Sequence, residues 1–257
     1  MDLYAERLLT NDSSPFWKKE LENIHPLDSI FPQERRAHSI IHGLITSMGT
    51  KVWEPLAIMY AKYNEFEILD KDDFNKKVPS IPDNVRRELQ DFEKNKLSDP
   101  SLDCSTYFND IKEFISKESI VITERKKIKK GTGIDLWFKK NETYYVIDTK
   151  TTQLNSGGGP KFLTNILNWY TYSALLGHEN TKCFIAFPFN PHLNHDFWDK
   201  EGGKISPLQK NSEAFSGDDF WSMLSGIDGT DTSILEAFAE LSDENFAEEF
   251  EEIFSID

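Results

Sequence analysis

Two runs of strand-forming residues in the middle of the chain constrain its fold more than any other feature. They cover positions 133–138 and 144–150, and β-branched and aromatic residues fill both. The polar segment 139–143 separates the two runs, so the pattern predicts a β-hairpin. Side chains of a strand alternate between its two faces, so Asp148 and Lys150 point the same way and Asp135 can meet them from the neighbouring strand.

Two carboxylates and one ammonium group that converge in this way suit phosphodiester hydrolysis. Carboxylate oxygens hold a hard cation such as Mg²⁺, which polarises a phosphate and lowers the pKa of a bound water. Lys150 can position or deprotonate that water, or offset the charge that grows on the phosphate. The ordinary alternative is charge on the solvent face of a hairpin, where ion pairs contribute little. The apolar residues around the three charges favour the catalytic interpretation, because buried charges need a reason to be there.

Composition limits the class of protein. A chain of 257 residues is long enough for one substantial α/β domain, and its six Trp and nineteen Phe indicate a packed core. Mean hydropathy is −0.54, and no apolar run approaches the ~18 residues of a transmembrane helix. The N-terminus lacks the layout of a signal peptide, and two cysteines make a disulfide framework improbable. We therefore expect a cytoplasmic protein that makes no contact with a membrane, with Cys104 and Cys183 as small buried hydrophobes.

The net charge of −15 argues at first against a nucleic-acid partner. Its distribution is uneven, because fourteen acidic residues and no Lys or Arg lie between positions 213 and 257. The preceding 212 residues carry 30 acidic and 29 basic residues and are nearly neutral. Basic residues cluster at 35–36, 86–87 and 125–130, and the last cluster directly precedes Asp135. This distribution is compatible with DNA binding by a body with local basic patches.

Hydrophobic spacing predicts the order of elements. Helices are expected at 33–63, with Pro55 kinking this helix or opening a second one after Gly49, and at 83–96 with Asp83 as its N-cap. Further elements are expected at the positions listed here: a helix at 105–115, a strand at 119–123, a helix at 161–176, a strand at 182–187, irregular structure at 188–217, and helices at 218–224 and 233–253. This order predicts an α/β fold with a mixed central sheet flanked by helices.

The hairpin resembles the PD-(D/E)XK nuclease superfamily in its D…DXK form, with Ile134 where a proline is usual. Further blocks are similar to TdeIII-type type II restriction endonucleases: 48–57, 130–137, 149–153, 157–162 and 185–191. The resemblance implies a restriction-endonuclease-like core in a single nuclease domain, 1–257. Within it we expect a mainly helical part at 1–118, a catalytic core at 119–190 and a C-terminal extension with an acidic helix at 191–257.

The resemblance also implies further site residues. Glu54, on the upstream helix, would complete the metal site beside Asp135 and Asp148; a solvated helix carboxylate is the alternative. The DNA contacts expected from the resemblance are Gln153, Asn155, Asn190 and His192. Those expected from residue chemistry and spacing are Arg35, Arg36, Lys126, Lys127, Lys161, Asn165 and Asn168. Lys161, Asn165 and Asn168 form a polar stripe at helical spacing, for which a solvated helix face is the alternative. The glycines at 157–159 form a flexible loop or permit a close approach to DNA.

The function that these features predict is Mg²⁺-dependent cleavage of double-stranded DNA by a type II restriction endonuclease. Cleavage of both strands at a short palindrome calls for two active sites, hence a homodimer. The resemblance implies a GGNCC-like recognition sequence. Two alternatives stay open at this point: a repair or junction nuclease with the same core, and a non-enzymatic acidic DNA mimic or interaction protein.

Overall fold

The computed structural model describes residues 32–151, 154–155, 157–192 and 195–242. The chain divides into two compact units, of which the larger comprises residues 47–231 and contains the whole sheet. The smaller unit comprises residues 1–46 and 232–257. That all 257 residues act as one nuclease domain stays a prediction.

The N-terminal part is helical, as its apolar spacing predicts. Its elements are α1 (Pro32–Met48), a π-helical turn (Gly49–Trp53), α2 (Glu54–Tyr63), α3 (Lys71–Lys76), α4 (Asp83–Ser98) and α5 (Cys104–Lys117). Pro55 is the second residue of α2, and the backbone stays helical from α1 through the π-helical turn into α2, with Trp53 at φ −67° and ψ −45°. The irregularity in the helix is thus the π-helical turn just ahead of the proline. The predicted cap at Asp83 is wrong by one residue: Pro82 occupies the N-cap and Asp83 is the first helical residue.

A mixed five-stranded sheet forms the centre of the larger unit. Its strands are β1 (Glu67–Ile68), β4 (Leu136–Lys140), β5 (Thr143–Thr149), β6 (Asn180–Phe187) and β7 (Ala214–Ser216), adjacent in that order. β5 pairs antiparallel with β4 and parallel with β6. A second, two-stranded sheet joins β2 (Val78–Pro79) to β3 (Arg125–Lys126). The predicted mixed sheet with flanking helices is confirmed.

The predicted hairpin is β4 and β5, with a tighter turn than the sequence indicates. Lys139 and Lys140 belong to β4, so only Asn141 and Glu142 form the turn, both with positive φ (48° and 60°). Two left-handed residues match the right-handed twist of the strands in a two-residue hairpin. The resulting register places Leu136 opposite Ile147.

Helices cover both faces of the sheet. Helix α6 (Gly158–Leu175) connects β5 to β6 and packs on the face that carries Val146, Cys183 and Ile185. The π-helical turn and α8 (Asp218–Ser225) carry aromatic rings of the opposite layer, where the rings of Trp53 and Trp221 pack at a tilt of 46° with their centroids 6.1 Å apart. Cys104 and Cys183 are buried free thiols, as expected.

Two sequence-based assignments are wrong. Residues 119–123 form no strand: Ser119 has a φ of 49°, Val121 is 76% exposed, and strand propensity without a pairing neighbour yields no ladder. The segment 188–217 contains α7 (Phe197–Ile205) and β7 and is therefore not irregular throughout. The C-terminal helix α9 begins at Thr230, three residues before the predicted start, and is described to Ser242; its predicted continuation to 253 lies outside the described residues.

The acidic segment begins inside the core. Glu213, 1% exposed, accepts hydrogen bonds from the backbone N–H groups of Cys104 and Gln209 and pairs at 2.8 Å with the fully buried ammonium group of Lys96. Lys96 also donates to the carbonyl of Leu102. Both charged groups of this buried pair have further hydrogen-bond partners, which offset the cost of removing them from water. The pair holds the start of β7 against α4 and α5. Glu213 is therefore not part of an acidic surface patch.

Candidate active site

Asp135 and Asp148 lie on adjacent strands at the same end of the hairpin. The backbone N–H of Asp135 donates to the carbonyl of Ile147 at 2.9 Å, just beyond the Leu136–Ile147 pair at which the β4–β5 ladder ends. The carboxyl groups of the two aspartates lie close enough to interact directly. The hairpin brings together the pair that strand alternation predicts.

Asp148 is the most perturbed carboxyl group of the site. Its side chain is 7% exposed, and burial raises its pKa to about 7. The charge of Asp135 also raises the pKa, whereas the ammonium group of Lys150, in contact with the Asp148 carboxylate, lowers it. The backbone N–H of Lys150 donates to the carbonyl of Ala186 at 2.8 Å. Lys150 is therefore held by the main chain of the sheet while its side chain, 32% exposed, reaches solvent.

Thr149 orients the carboxylate of Asp135. Its backbone N–H and its hydroxyl group both donate to Oδ2 of Asp135, each at 2.9 Å. Strand alternation assigns Thr149 to the face opposite Asp148, which is why sequence reasoning did not select it.

Glu54 reaches the same neighbourhood from the first residue of α2. It is 8% exposed, and its pKa is raised by burial and, to a smaller degree, by the charge of Asp135. Lys71, the first residue of α3, forms a short ion pair with it. No motif marks Lys71 in the sequence, and the contact spans 17 positions of the chain.

Asn75 fixes the backbone just ahead of Asp135. Its side-chain amide donates to the carbonyl of Ile134 and its amide oxygen accepts from the N–H of Ile134, both at 2.9 Å. Its own carbonyl accepts from the N–H of Ile128 at 2.8 Å. Gly133 has no side chain at this point, where a Cβ would lie 2.8 Å from the Asn75 amide oxygen. Helix α3 thus holds the strand that presents Asp135.

Replacing Asn75 with Ala is expected to destabilise the chain, because it leaves the N–H and carbonyl of the buried residue Ile134 without partners. Each unpaired buried group costs about 1–3 kcal/mol. Urea unfolding measures the loss. Asn109→Ala, on the exposed surface of α5, is the matched control and should leave stability within about 0.5 kcal/mol. Equal stabilities for the two variants would show that the bonds to Ile134 do not hold this segment.

The donor chemistry of the site fits a hard divalent cation. Asp135, Asp148 and Glu54 supply carboxylate oxygens, the ligands that Mg²⁺ prefers, and two of them are raised in pKa by burial. With the side chains as they stand, no group of three Asp, Glu, His or Cys residues in the described part of the chain is assembled to hold a metal ion. Two of the carboxylates form ion pairs with lysines instead: Asp148 with Lys150, and Glu54 with Lys71.

Some of the expected DNA contacts lie on the surface. Lys126 and Lys127 are exposed, within a basic segment that continues through Lys129 and Lys130 and leads into Asp135. Asn155 and Lys161 are also exposed, at the start of the connection from β5 to β6.

Other expected contacts have partners within the fold. Asn165 is 3% exposed, and Asn168 donates to the carbonyl of Thr164 one turn earlier, so the residues at 161, 165 and 168 do not form one exposed stripe. Asn190 donates to the carbonyl of His195 and accepts from the N–H of His192, so it shapes its own loop. His192 contacts Oε1 of Glu201 at 2.8 Å. Gln153 and the side chains of Arg35 and Arg36 lie outside the described residues.

The three glycines belong to a tight connection at the start of α6. Gly157 has a φ of 90°, and Gly158 and Gly159 are the first residues of the helix. A Cβ on Gly159 would lie 1.9 Å from the carbonyl oxygen of Ser206 and 2.3 Å from that of Ile205. The close approach at Gly159 is therefore to another part of the same chain.

The sheet thus carries two neighbouring carboxylates and a lysine, and an exposed basic segment precedes them in the chain, an arrangement compatible with phosphodiester hydrolysis. A family model described as "Type II restriction endonuclease, HinfI" matches residues 6–242. The chain belongs to this family, the HinfI family of type II restriction endonucleases.

Membership confirms the expectation of a restriction endonuclease, a site-specific nuclease that binds DNA. The family found is HinfI, and the narrower resemblances to the PD-(D/E)XK superfamily and to TdeIII-type enzymes stay predictions. Neither the curated proteins nor the solved structures yield a match to the chain. None of the described helices is both long and apolar enough to span a membrane.

Proposed function

We propose that this chain is a Mg²⁺-dependent type II restriction endonuclease that hydrolyses both strands of duplex DNA at a short palindrome. The observation that carries the proposal is the pair of Asp135 and the buried Asp148, with Lys150 in contact with Asp148, in a chain of a restriction-endonuclease family. The fold name that best suits this arrangement is a restriction-endonuclease-like core of the D…DXK type.

Each residue has a role that its surroundings support. Asp135 and Asp148, with Glu54 beside them, would hold the ion. Thr149 fixes the orientation of the Asp135 carboxylate through two hydrogen bonds to Oδ2. The bound ion supplies a polarised phosphate and a water of lowered pKa. Lys150 extends from the edge of the sheet into solvent, where its ammonium group can orient the attacking water or neutralise charge on the phosphate.

The basic segment 125–130 would carry the DNA backbone towards these groups. Its exposed lysines are continuous in sequence with the strand that presents Asp135, so phosphates bound there lie on the way to the site. A homodimer would place two such sites on the two strands of a palindrome. A GGNCC-like recognition sequence follows only from the TdeIII resemblance, so the test should assume no particular sequence.

The test is digestion of a plasmid of known sequence with Mg²⁺ and with EDTA. We expect discrete fragments with Mg²⁺, none with EDTA, and a loss of about 10²–10⁴-fold in rate for Lys150→Ala, the range for a lost proton-transfer group. Lys200→Ala, on the exposed surface of α7, serves as the control for the lost charge.

Sequencing of the fragment ends gives the recognition site and the stagger together. Nicked, flapped and branched substrates in the same assay separate restriction from repair. Random cutting, preference for branched DNA, or full activity of Lys150→Ala would each overturn the proposal.

A further inference from the structure

Lys71 is a second lysine at the candidate site, and no sequence motif marks it. Its ammonium group pairs with Oε2 of Glu54, the carboxylate that approaches the aspartate pair from α2. Each of two acidic groups of the site thus holds one lysine: Asp148 holds Lys150 and Glu54 holds Lys71. The three carboxylates and two ammonium groups leave the site with one net negative charge, if all are ionised.

The lysine is the partner that can move. The side chain of Lys71 is 39% exposed and that of Glu54 only 10%, so the carboxylate cannot turn to solvent while the ammonium group can. A lysine head group is a compact charge on a flexible four-carbon stem and binds phosphate as readily as carboxylate. The main chain of Lys71 is fixed meanwhile, because Asp70 caps α3 by accepting from the N–H of Asp72.

The surroundings of Lys71 join the site to the basic surface. The pKa of Asp72 is lowered, chiefly by the hydrogen bond from Lys76 and to a smaller degree by the charges of Lys71 and Lys127. Helix α3, which begins at Lys71, also contacts the basic segment 125–130 directly, because the carbonyl of Asn75 accepts from the N–H of Ile128 at 2.8 Å.

We propose that Lys71 exchanges partners during the reaction: it neutralises Glu54 until a divalent ion takes that carboxylate, and it then binds a phosphate of the DNA backbone. The inference rests on the proposed function, because it needs an ion and a phosphate at this site. It assigns to Lys71 the role of a positioning residue that binds substrate.

If Lys71 exchanges partners in this way, Lys71→Met should strengthen metal binding and weaken DNA cleavage. The variant keeps most of the stem and loses the charge, so the ion no longer competes with an ammonium group for Glu54. We expect Mn²⁺ alone, without DNA, to bind three- to tenfold more tightly, as measured from free Mn²⁺ by electron paramagnetic resonance. At saturating metal, cleavage should fall by at least tenfold, mainly through a raised KM for DNA, because a phosphate contact is lost.

Lys76→Met is the matched control for metal binding. It removes the same charge from the same helix, but Lys76 pairs with Asp72 on the exposed side and not with Glu54. Its Mn²⁺ affinity should stay within twofold of that of the unaltered chain. Lys71→Arg keeps a cation at the position and should restore most of the affinity for DNA.

The outcomes separate this inference from the proposed function. Tighter Mn²⁺ binding together with weaker cleavage supports the exchange, since a damaged fold weakens both. Unchanged values for Lys71→Met, or a loss of both affinities, overturn it while leaving the nuclease proposal in place. If the unaltered chain neither binds Mn²⁺ nor cuts DNA, the proposed function fails and the exchange fails with it.

Discussion

Replacing Asp148 with Asn is expected to abolish cleavage while leaving the fold intact. The variant keeps the size of the side chain and loses the anionic oxygen that a divalent ion needs. An ion contributes several kcal/mol to the charged transition state, and about 1.4 kcal/mol corresponds to a tenfold change in rate, so the rate should fall by roughly 10³-fold or more. Initial rates on a plasmid substrate at saturating Mg²⁺ measure the loss.

The same substitution should make the chain more stable at neutral and alkaline pH. Burial raises the pKa of Asp148 to about 7 from an ordinary value of 3.8, so the folded state resists ionisation of this group. The associated stability is complete below about pH 4 and is lost as the pH rises through about 7. The amide of the Asp148→Asn variant does not ionise, so the stability difference between the variant and the parent should grow from about pH 4 to pH 7 and then level off.

Asp110→Asn, on the exposed surface of α5, is the control for both measurements and should change neither. Chemical denaturation at several pH values gives the stability difference, which should reach a few kcal/mol, since one pKa unit corresponds to about 1.4 kcal/mol. An inactive and stabilised variant assigns Asp148 to catalysis. A variant that cuts DNA at the parental rate would remove the aspartate pair from the mechanism.

Gly159→Ala is expected to cause a large loss of stability. The added methyl group would lie 1.9 Å from the carbonyl oxygen of Ser206, and that oxygen belongs to backbone that cannot rotate away like a side chain. Either α6 or the end of α7 must shift. Overpacking costs about 1–3 kcal/mol in flexible surroundings, and we expect about 3 kcal/mol or more here.

Gly158→Ala is the matched control, one residue away in the same helical turn. Its methyl group would lie 3.4 Å from the ring of Phe162, an ordinary contact, and alanine is the better helix former by up to about 1 kcal/mol. Urea unfolding followed by tryptophan fluorescence compares the two variants. We expect Gly158→Ala at or slightly above parental stability and Gly159→Ala far below it or unfolded, whereas similar stabilities would mean that the helix and α7 can separate freely.

The sequence predicts which charged residues the hairpin brings together, because these residues are close in the chain. Asp135, Asp148 and Lys150 lie within sixteen positions, and the period of two in a strand fixes which side chains share a face. Helix α2 with Glu54 is predictable for a similar reason, from apolar spacing and a proline at its start.

The supporting residues could not be predicted, because their roles depend on tertiary contacts. Asn75 acts on Ile134, 59 positions away, and nothing in the local sequence of α3 marks the contact. Gly159 likewise meets Ser206, whose position follows from α7, a helix in a segment predicted to be irregular. The supposed strand at 119–123 illustrates the opposite error, in which suitable residues lack a neighbour to pair with.

The position of β5 between β4 and β6 has a consequence for how such enzymes can diverge. The parallel ladder with β6 holds Asp148 opposite Ile185, and the antiparallel ladder with β4 ends at its neighbour Ile147. The proposed reacting groups are thereby held by the sheet and not by the surface loops. Related enzymes could therefore acquire new target sequences through changes in peripheral loops, while the proposed hydrolytic centre stays the same.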